Sequence, residues 1–432
     1  MTAKEKSQAR MATLMSSLGA GFEYYDFIIY GMMAEYLRLL FFAGDDSWVG
    51  SLKTFAIFAV GYFARPFGGI FFGIVGDTIG RKKTFLTVML LMATSTFGIG
   101  LLPTYKQVGN IAPLLLVLMR LLQGFSFGAE LPGAMTVVYE FSKQKDQSAH
   151  AGFVLASTSL GAMLASGVLY FVSATFVHDQ IFSWGWRIPF LLGGVLAVVN
   201  YFIRRHLNET PEFLLSQVKA DKTCLRNAPL KCILREHLSS LILGIGMTLF
   251  VSSLIILGLY FPTFLTTNFG YSSSSVYLAL LWSMVASAVT LPICGRFADK
   301  VGRERLFIMS SLAYVLGAFP LFSVLKLEAN WALQLFMVLH QIFIALVSVC
   351  YFPLLAASFP TRVRYTGIAA CYNITYSFMA TLPILLTGLI YWTGSADSVI
   401  LVMMGCAALS GLSAYYCINL YPSFGALSSS TN

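Results

Sequence analysis

Runs of about twenty or more apolar residues, each long enough to cross a membrane as a helix, recur along this 432-residue chain. A helix satisfies its own backbone polar groups inside the hydrocarbon core, where no water can do so. Only 11% of the residues are charged, against about 25% in soluble domains. A membrane β-barrel would instead show short segments of alternating polarity. The pattern therefore predicts an all-α polytopic protein whose surroundings are the lipid bilayer.

The apolar runs divide into twelve predicted spans. They cover 13–42, 49–75, 84–104, 111–141, 148–175, 185–206, 238–266, 273–296, 304–326, 330–358, 364–392 and 396–420. The first run is too long for a signal peptide and contains carboxylates, so we expect it to remain as an uncleaved helix. One long charged stretch separates six spans from six. We predict an N-terminal six-helix bundle at 1–206, a cytoplasmic linker loop at 207–237 and a C-terminal six-helix bundle at 238–432.

Lysine and arginine are distributed unevenly between the predicted loops. If the N-terminus is inside, most of the 28 basic residues fall on the cytoplasmic side, as the positive-inside rule expects. Both termini are then predicted to be cytoplasmic, in a plasma membrane that the chain crosses many times. The net charge of +9 is explained by the anionic lipid that these loops face, and we predict no nucleic-acid partner.

Two short inner loops carry one pattern, which indicates an internal duplication of the kind seen in many transporters. The segments GIVGDTIGRKKTF at 73–85 and GRFADKVGRERLF at 295–307 share three residue types at one constant offset. The matched residues are Asp77 and Asp299, Gly80 and Gly302, and Arg81 and Arg303. Glycine permits the positive φ of a tight turn, aspartate can cap a helix N-terminus, and arginine can pair with carboxylates. We predict a gating loop at each copy, and we expect Glu140 to pair with Arg81.

Six stretches, in order along nearly the whole chain, carry a resemblance to a known family. They are EYYDFIIYG at 23–31, RPFGGIFFGIVGDTIGRKK at 65–83, RLLQGFSFGAE at 120–130, WGWRIPF at 184–190, RHLNETPEF at 205–213 and FPTRVRYTG at 359–367. In these stretches the chain resembles the major facilitator superfamily and, more narrowly, its metabolite:proton symporters, which include proline/betaine, shikimate, citrate and α-ketoglutarate carriers. The chain departs from the family pattern by having GAE for GGE and by having tyrosine for tryptophan in EYYDF, but neither change removes a charge.

The resemblance implies the major facilitator fold, with twelve transmembrane helices in two six-helix bundles. It implies a location in a bacterial inner membrane. It also implies that an acid in span 1 pairs with the arginine of span 4, which is Arg120 in this sequence.

Two carboxylates, Glu23 and Asp26, lie inside the first apolar run, three positions apart. They share one helix face, and Tyr30 lies one turn further along it. A charge near the bilayer centre costs at least ~2.5–3.5 kcal/mol, so these side chains are expected to face the protein interior. A carboxylate that can be neutral or charged is what proton coupling requires, although a structural contact between helices is the alternative.

Arg120 in span 4 is the predicted partner of Asp26, with Gln123 and Phe127 near its helix face. Arginine cannot release its proton in practice, so Arg120 supplies a fixed positive charge. The hypothesis is that protonation of Asp26 frees Arg120 to bind an anionic group on the substrate. Glu130, further along the same helix, is expected either to relay a proton or to contact a neighbouring span.

The second half is poor in charge within its spans. Uncharged residues there are the predicted lining of the substrate site, namely Tyr260, Trp282, His340, Gln341, Tyr372, Asn373 and Tyr376. A histidine on an apolar helix is also a common packing residue, so the role of His340 stays open.

These observations predict a proton-coupled secondary transporter that imports a small organic acid or a zwitterionic metabolite by alternating access. Its partners would be a small-molecule substrate and protons, and it is expected to function as a monomer. Alternatives are a drug or metabolite exporter of the same fold, or a non-transporting membrane receptor. An enzyme is not expected, because the spans hold no clustered nucleophile and base. No metal site and no cofactor are predicted.

Overall fold

A computed structural model describes residues 3–42, 47–218 and 229–420 of the chain. Most of this backbone is helical, and none of the described residues forms a β-strand. Eleven helices in this part are long and apolar enough to cross a membrane. Helix α1 is not among the eleven, because its apolar stretch contains Glu23 and Asp26, which reduce its mean hydropathy. The all-α polytopic class predicted from the sequence is confirmed.

Ten α-helices precede the middle of the chain, with short 3-10 turns at Gln144–Asp146 and Gly185–Arg187. They are α1 Ala3–Met32, α2 Ala34–Phe41, α3 Ser47–Thr78, α4 Arg81–Leu101, α5 Tyr105–Val108, α6 Ile111–Phe141, α7 Gln147–Thr175, α8 His178–Ser183, α9 Ile188–Arg204 and α10 Pro211–Val218.

Nine more α-helices follow, with a π turn at Ile256–Tyr260 and a 3-10 turn at Val324–Leu327. They are α11 Pro229–Glu236, α12 Leu238–Val251, α13 Phe261–Phe269, α14 Ser273–Val301, α15 Arg303–Ser323, α16 Asn330–Ala357, α17 Arg364–Met379, α18 Leu382–Thr393 and α19 Asp397–Leu420. Parts of the predicted linker at 207–237 are helical, in α10 and α11.

The chain packs as two units, which are described separately below. The first unit comprises Met1–Phe141 with Ser157–Asn227, and the second comprises Ser142–Ala156 with Ala228–Asn432. The first turns of α7 thus belong with the second unit, which the boundaries drawn from the sequence did not anticipate. The reason is close backbone packing on α14, because a Cβ added at Gly152 would lie 2.5 Å from the carbonyl oxygen of Leu291.

Three predicted spans are interrupted helices. The first breaks between α1 and α2, at Met33, and the eleventh breaks between α17 and α18. The seventh breaks after Val251, where the hydroxyls of Ser252 and Ser253 bond to the carbonyls of the preceding turn and so compete with the helical ladder. Proline near the start of α13 and of α18 lacks the N–H that a continuous helix would need.

Glycine allows α3 and α6 to approach closely in the first unit. A side chain at Gly124 would overlap the carbonyl oxygen of Gly61, and one at Gly128 would overlap that of Arg65. Small residues of this kind are what close helix packing in membranes uses. The contact brings the buried arginines of the two helices, Arg65 and Arg120, into one interior.

Candidate functional site: buried charges of the first unit

A small cavity, lined in part by charged and polar side chains, lies inside the first unit between four helices. Helix α1 contributes Gly19, Phe22, Glu23 and Asp26, α4 contributes Val88, Met89 and Met92, α6 contributes Ser126 and Glu130, and α9 contributes Ala197 and Asn200. The spacing of α1 explains its share, because positions three and four apart lie on one face. The prediction that Glu23 and Asp26 face the protein interior is therefore confirmed.

Asp26 is almost fully buried, with only 1% of its surface exposed. Its carboxylate lies against Gly193 of α9, where a Cβ would overlap Oδ1. Within the described residues, neither carboxylate oxygen of Asp26 has a hydrogen-bond partner, and the same holds for Oε1 of Glu23. Burying a charge without such a partner costs several kcal/mol, so the ionised form of either carboxylate is costly at these two positions.

Arg120 is fully buried and its guanidinium contacts residues other than the predicted one. Nη1 donates to Oε1 of Gln123 at 2.5 Å, and the guanidinium carbon lies 4.1 Å from the centre of the Tyr30 ring. Gln123 in turn donates through Nε2 to the backbone oxygen of Asp26 and to Oγ1 of Thr96, both at 3.0 Å.

The predicted ion pair between Asp26 and Arg120 is not formed among the described residues. The physical reason is that Gln123 lies between them, binding the guanidinium with its oxygen and the Asp26 backbone with its nitrogen. The carboxylate itself points to α9. The sequence places these residues in one interior correctly, but it does not give the side chain that bridges them.

Glu130 pairs with Arg204, the last residue of α9. Both side chains are buried, so of the two roles expected for Glu130, contact with a neighbouring helix is present. The sequence analysis did not single out Arg204, because it adjoins Arg205 at the inner end of a span and resembles an ordinary positive-inside residue. Asn200 and Thr96 were missed for a similar reason, since a single amide or hydroxyl in an apolar helix gives no distinctive pattern.

Phe127 lies with Phe27 and Arg65 rather than directly at Arg120. The rings of Phe27 and Phe127 are 4.2 Å apart, and the Arg65 guanidinium carbon lies 4.4 Å from the centre of Phe127. The same carbon of Arg120 lies 5.1 Å from Phe27. The two arginines therefore share one aromatic cluster, which can hold guanidinium groups by cation–π attraction.

The loop at 73–85, which is the first predicted gating loop, forms a buried charge cluster. Nη2 of Arg81 lies 3.1 Å from Glu140 and 3.2 Å from Asp77, so the pair predicted from the sequence is present. Glu209, which the sequence analysis missed, accepts from the backbone N–H groups of Arg81 and Lys82 at the start of α4. Gly80 has φ +122°, as expected for the turn.

The loop at 295–307, which is the second predicted gating loop, makes different contacts. Asp299 accepts from the backbone N–H groups of Ser148 and Ala149, at 3.0 and 2.8 Å, which is the predicted capping role at the start of α7. Arg303 donates to Oε1 of Gln147 at 2.5 Å and to a backbone carbonyl. Gly302 has φ +101°. The repeat thus preserves the turn, but the arginine partners differ.

Most of the predicted lining residues of the second unit are buried and uncharged. His340 bonds through Nδ1 to the Tyr314 hydroxyl at 3.0 Å, and Gln341 donates to Ser287 at 3.1 Å. Ring contacts join Tyr260 to Phe264 and Tyr372 to Tyr376, and Asn373 bonds within its own helix to Ala369.

Trp282 is the exception, because 51% of its surface is exposed. Its neighbours Tyr277, Leu278 and Leu281 are exposed as well, so this face of α14 is apolar and exposed. The place of Trp282 in the site lining stays a prediction.

One group of side chains has the chemistry of metal ligands. Cys232, Glu236 and His237, around the junction of α11 and α12, place their ligand atoms within 4.8 Å of one another. All three are at least partly exposed. The sequence analysis did not identify this group, and it is separate from the buried charges.

Family models and relatives agree on the class of protein. The model described as "Sugar (and other) transporter" matches residues 12–229, and the model described as "Major Facilitator Superfamily" matches residues 241–424. The proline/betaine transporter of Salmonella typhimurium is 32% identical over 401 residues, covering 90% of this chain and 79% of the relative. The citrate-proton symporter of Klebsiella pneumoniae is 30% identical over 394 residues, covering 90% and 88%.

Solved structures agree on the fold. The proton:xylose symporter XylE, bound to 6-bromo-6-deoxy-D-glucose, matches with a TM-score of 0.78 at 18% identity, covering 96% of each chain. The chain is a membrane transporter and not an enzyme, and it belongs to the major facilitator superfamily, among the relatives of the proline/betaine and citrate-proton carriers.

Proposed function

We propose that this transporter is a symporter that imports a small organic acid or zwitterion together with protons, by alternating access. It would work as a monomer in the bacterial inner membrane, with both termini in the cytoplasm. The observation that carries the proposal is the set of buried carboxylates in the first unit, Glu23 and Asp26, beside guanidinium groups that cannot lose their charge. Proton coupling needs a group that changes charge and a group that does not.

Asp26 is the proposed main proton carrier, with Glu23 as the second. Both are buried, both line the cavity, and oxygens of both have no hydrogen-bond partner in the described chain. A site of this kind can hold a proton at little structural cost, because the neutral form needs no counter-charge. Arg120 and the paired residue Glu130 complete the proposed coupling set.

Arg120 is the proposed binding group for an anionic part of the substrate. Its planar guanidinium can bind a carboxylate through two parallel hydrogen bonds, and a carboxylate is common to organic acids, proline and betaine. Gln123 connects this guanidinium to the backbone of Asp26. A shift of α1 on protonation of Asp26 would therefore be transmitted to Arg120 through Gln123, without a direct ion pair. Tyr30 and Phe127 would complete the apolar wall of the site on this side.

In the second unit, the buried uncharged groups are the proposed complement to that charge. Tyr260, His340, Gln341, Tyr372, Asn373 and Tyr376 would shape the site and supply hydrogen bonds. The two gating loops, with Asp77, Gly80, Arg81 and Glu140 in one and Asp299, Gly302 and Arg303 in the other, would form and break contacts during the cycle.

Uptake into proteoliposomes tests the proposal. Purified protein is reconstituted, an inward proton gradient is imposed, and accumulation of radiolabelled proline, glycine betaine and citrate is measured. We expect one of these probes to accumulate above its external concentration, and a protonophore to abolish the accumulation. Equilibration of a probe without accumulation would contradict proton coupling, and export under the same gradient would favour the exporter. A thermal-shift screen of the same compounds identifies binders independently, because a ligand that binds the folded state raises its stability.

A further inference from the structure

Arg204 is an arginine whose charged group lies inside the first unit rather than at the membrane surface. It is the last residue of α9, yet only 2% of its surface is exposed. Arginine near the end of a span usually extends towards water. Here the guanidinium instead contacts three other helices, which are α1, α4 and α6.

Helix α1 supplies the backbone carbonyl groups that hold this guanidinium in place. Nε donates to the carbonyl oxygen of Met15 at 3.1 Å, and Nη2 donates to that of Ser16 at 3.3 Å. These carbonyls are accessible because residue 19 is glycine, since a Cβ there would overlap three guanidinium atoms of Arg204. The ring of Phe85 covers the group at 4.6 Å. The guanidinium therefore fits this position only while residue 19 is glycine, because any larger side chain there would overlap it.

The fourth contact is the ion pair with Glu130, and it divides the carboxylates of the cavity into two kinds. Glu130 has a buried counter-charge that also donates a hydrogen bond to it. Glu23, one turn after Gly19 on the same face, lines the same cavity and has no ion-pair partner within the described chain. The charges that act on Glu23 are those of Glu130, Arg204, Arg65 and Asp26.

We propose that Arg204 is a positioning residue for proton coupling, because it keeps Glu130 ionised and fixed at the edge of the cavity, so that the transported proton is confined to Glu23 and Asp26. This inference rests on the proposed function. Without Arg204, Glu130 would become a further buried site that competes for the proton. The side-chain oxygen Oδ1 of Asn200, which has no hydrogen-bond partner in the described residues and belongs to a residue that lines the cavity, would accept a hydrogen bond from the neutral form of Glu23 or Asp26.

Infrared difference spectroscopy of the purified protein can test whether Glu23 and Asp26, but not Glu130, bind the proton. The experiment does not require that the substrate is known. The carbonyl stretch of a protonated carboxyl group is recorded as the pH is varied, for the wild type and for Glu23→Gln, Asp26→Asn and Glu130→Gln. We expect the first two variants each to remove a band that changes with pH, and Glu130→Gln to leave the wild-type spectrum unchanged near neutral pH. Loss of a protonated-carboxyl band in Glu130→Gln at neutral pH would overturn the proposal.

Two further variants address Arg204 itself. Arg204→Gln should add a protonated-carboxyl band near neutral pH that a second substitution, Glu130→Gln, removes, whereas Arg204→Lys should retain the wild-type spectrum. Gly19→Ala should have the effect of Arg204→Gln, because it occupies the guanidinium position. The matched control is Gly167→Ala in α7, where a Cβ would meet nothing within 4 Å. Folded Arg204→Gln or Gly19→Ala protein with the wild-type spectrum would contradict the inference.

The same variants separate failure of this inference from failure of the proposed function. If the wild type shows no proton-driven accumulation of proline, glycine betaine or citrate, the proposed function fails. If the wild type accumulates one of them and Arg204→Gln does so equally well, the function stands and the role of Arg204 is wrong. We expect Arg204→Gln to lose accumulation of that probe and to retain its exchange across the membrane.

Discussion

The two units of this transporter bury different chemistry, although they share a repeated loop sequence. The first unit buries nine charged side chains among its described residues, namely Glu23, Asp26, Arg65, Asp77, Arg81, Arg120, Glu130, Glu140 and Arg204. In the described part of the second unit, Arg364 is the one charged residue in this class, and the interior is otherwise aromatic and amide-containing. Burying an ion costs several kcal/mol even after relaxation. The first unit therefore bears the larger cost of burying charge, whereas the described interior of the second unit is mostly uncharged.

The two repeated loops give the largest expected difference in stability between the units. Arg81→Gln should destabilise the protein by about 3–5 kcal/mol, because it leaves buried carboxylates without their counter-charge. Arg303→Gln should cost less, about 1.5–3 kcal/mol, which is the usual worth of a hydrogen bond to a charged group. Arg303 bonds to an amide and a carbonyl, and the Glu304 carboxylate lies 3.9 Å from its Nε at a partly exposed position. Thermal unfolding in detergent measures both. Equal losses would show that the two loops carry equivalent contacts.

Helix packing gives a second difference. Gly124→Ala should cost about 1–3 kcal/mol, the usual range for overpacking, because the new methyl group would overlap the carbonyl of Gly61 and push α3 from α6. Gly317→Ala in the second unit is the matched control, since a Cβ there meets nothing within 4 Å. Unfolding midpoints that fall equally for both variants would contradict the close contact between α3 and α6.

The uncharged interior of the second unit gives the smallest effect. Tyr314→Phe removes the hydrogen bond to the fully buried His340. The free energy of unfolding should fall by about 1 kcal/mol, or by up to ~3 kcal/mol if the imidazole nitrogen is left without a partner. Tyr391→Phe is the control, because 92% of Tyr391 is exposed. Chemical denaturation of the two variants measures the difference. A stability unchanged in Tyr314→Phe would show that the hydroxyl has no role in holding His340.

The sequence predicted the parts of this architecture that follow from local rules. Apolar length gives the spans, glycine gives the positive φ at Gly80 and Gly302, and opposite charge gives the pair of Arg81 with Glu140. Each of these depends on a residue type at a fixed spacing.

The sequence could not predict which contact a side chain makes when several groups are within its reach. Arg120 could reach several acceptors, and Gln123 on the same helix turn binds it in preference to Asp26. The Arg204 side chain lies in the interior because Gly19 of α1 leaves room for its guanidinium. The sequence of α9 alone cannot predict this, since the space depends on a residue of another helix. The interrupted helices were missed because serine pairs and prolines are tolerated in many continuous membrane helices.

The central claim is that a carboxylate of the first unit carries the proton, and substitution of Asp26 tests it most directly. Asp26→Asn and the control Asp179→Asn, at a fully exposed position, are reconstituted and compared under a proton gradient with the probe that the wild type accumulates. We predict that Asp26→Asn loses accumulation while it still exchanges internal for external substrate, and that Asp179→Asn behaves as the wild type. Accumulation by Asp26→Asn at the wild-type level would contradict the account.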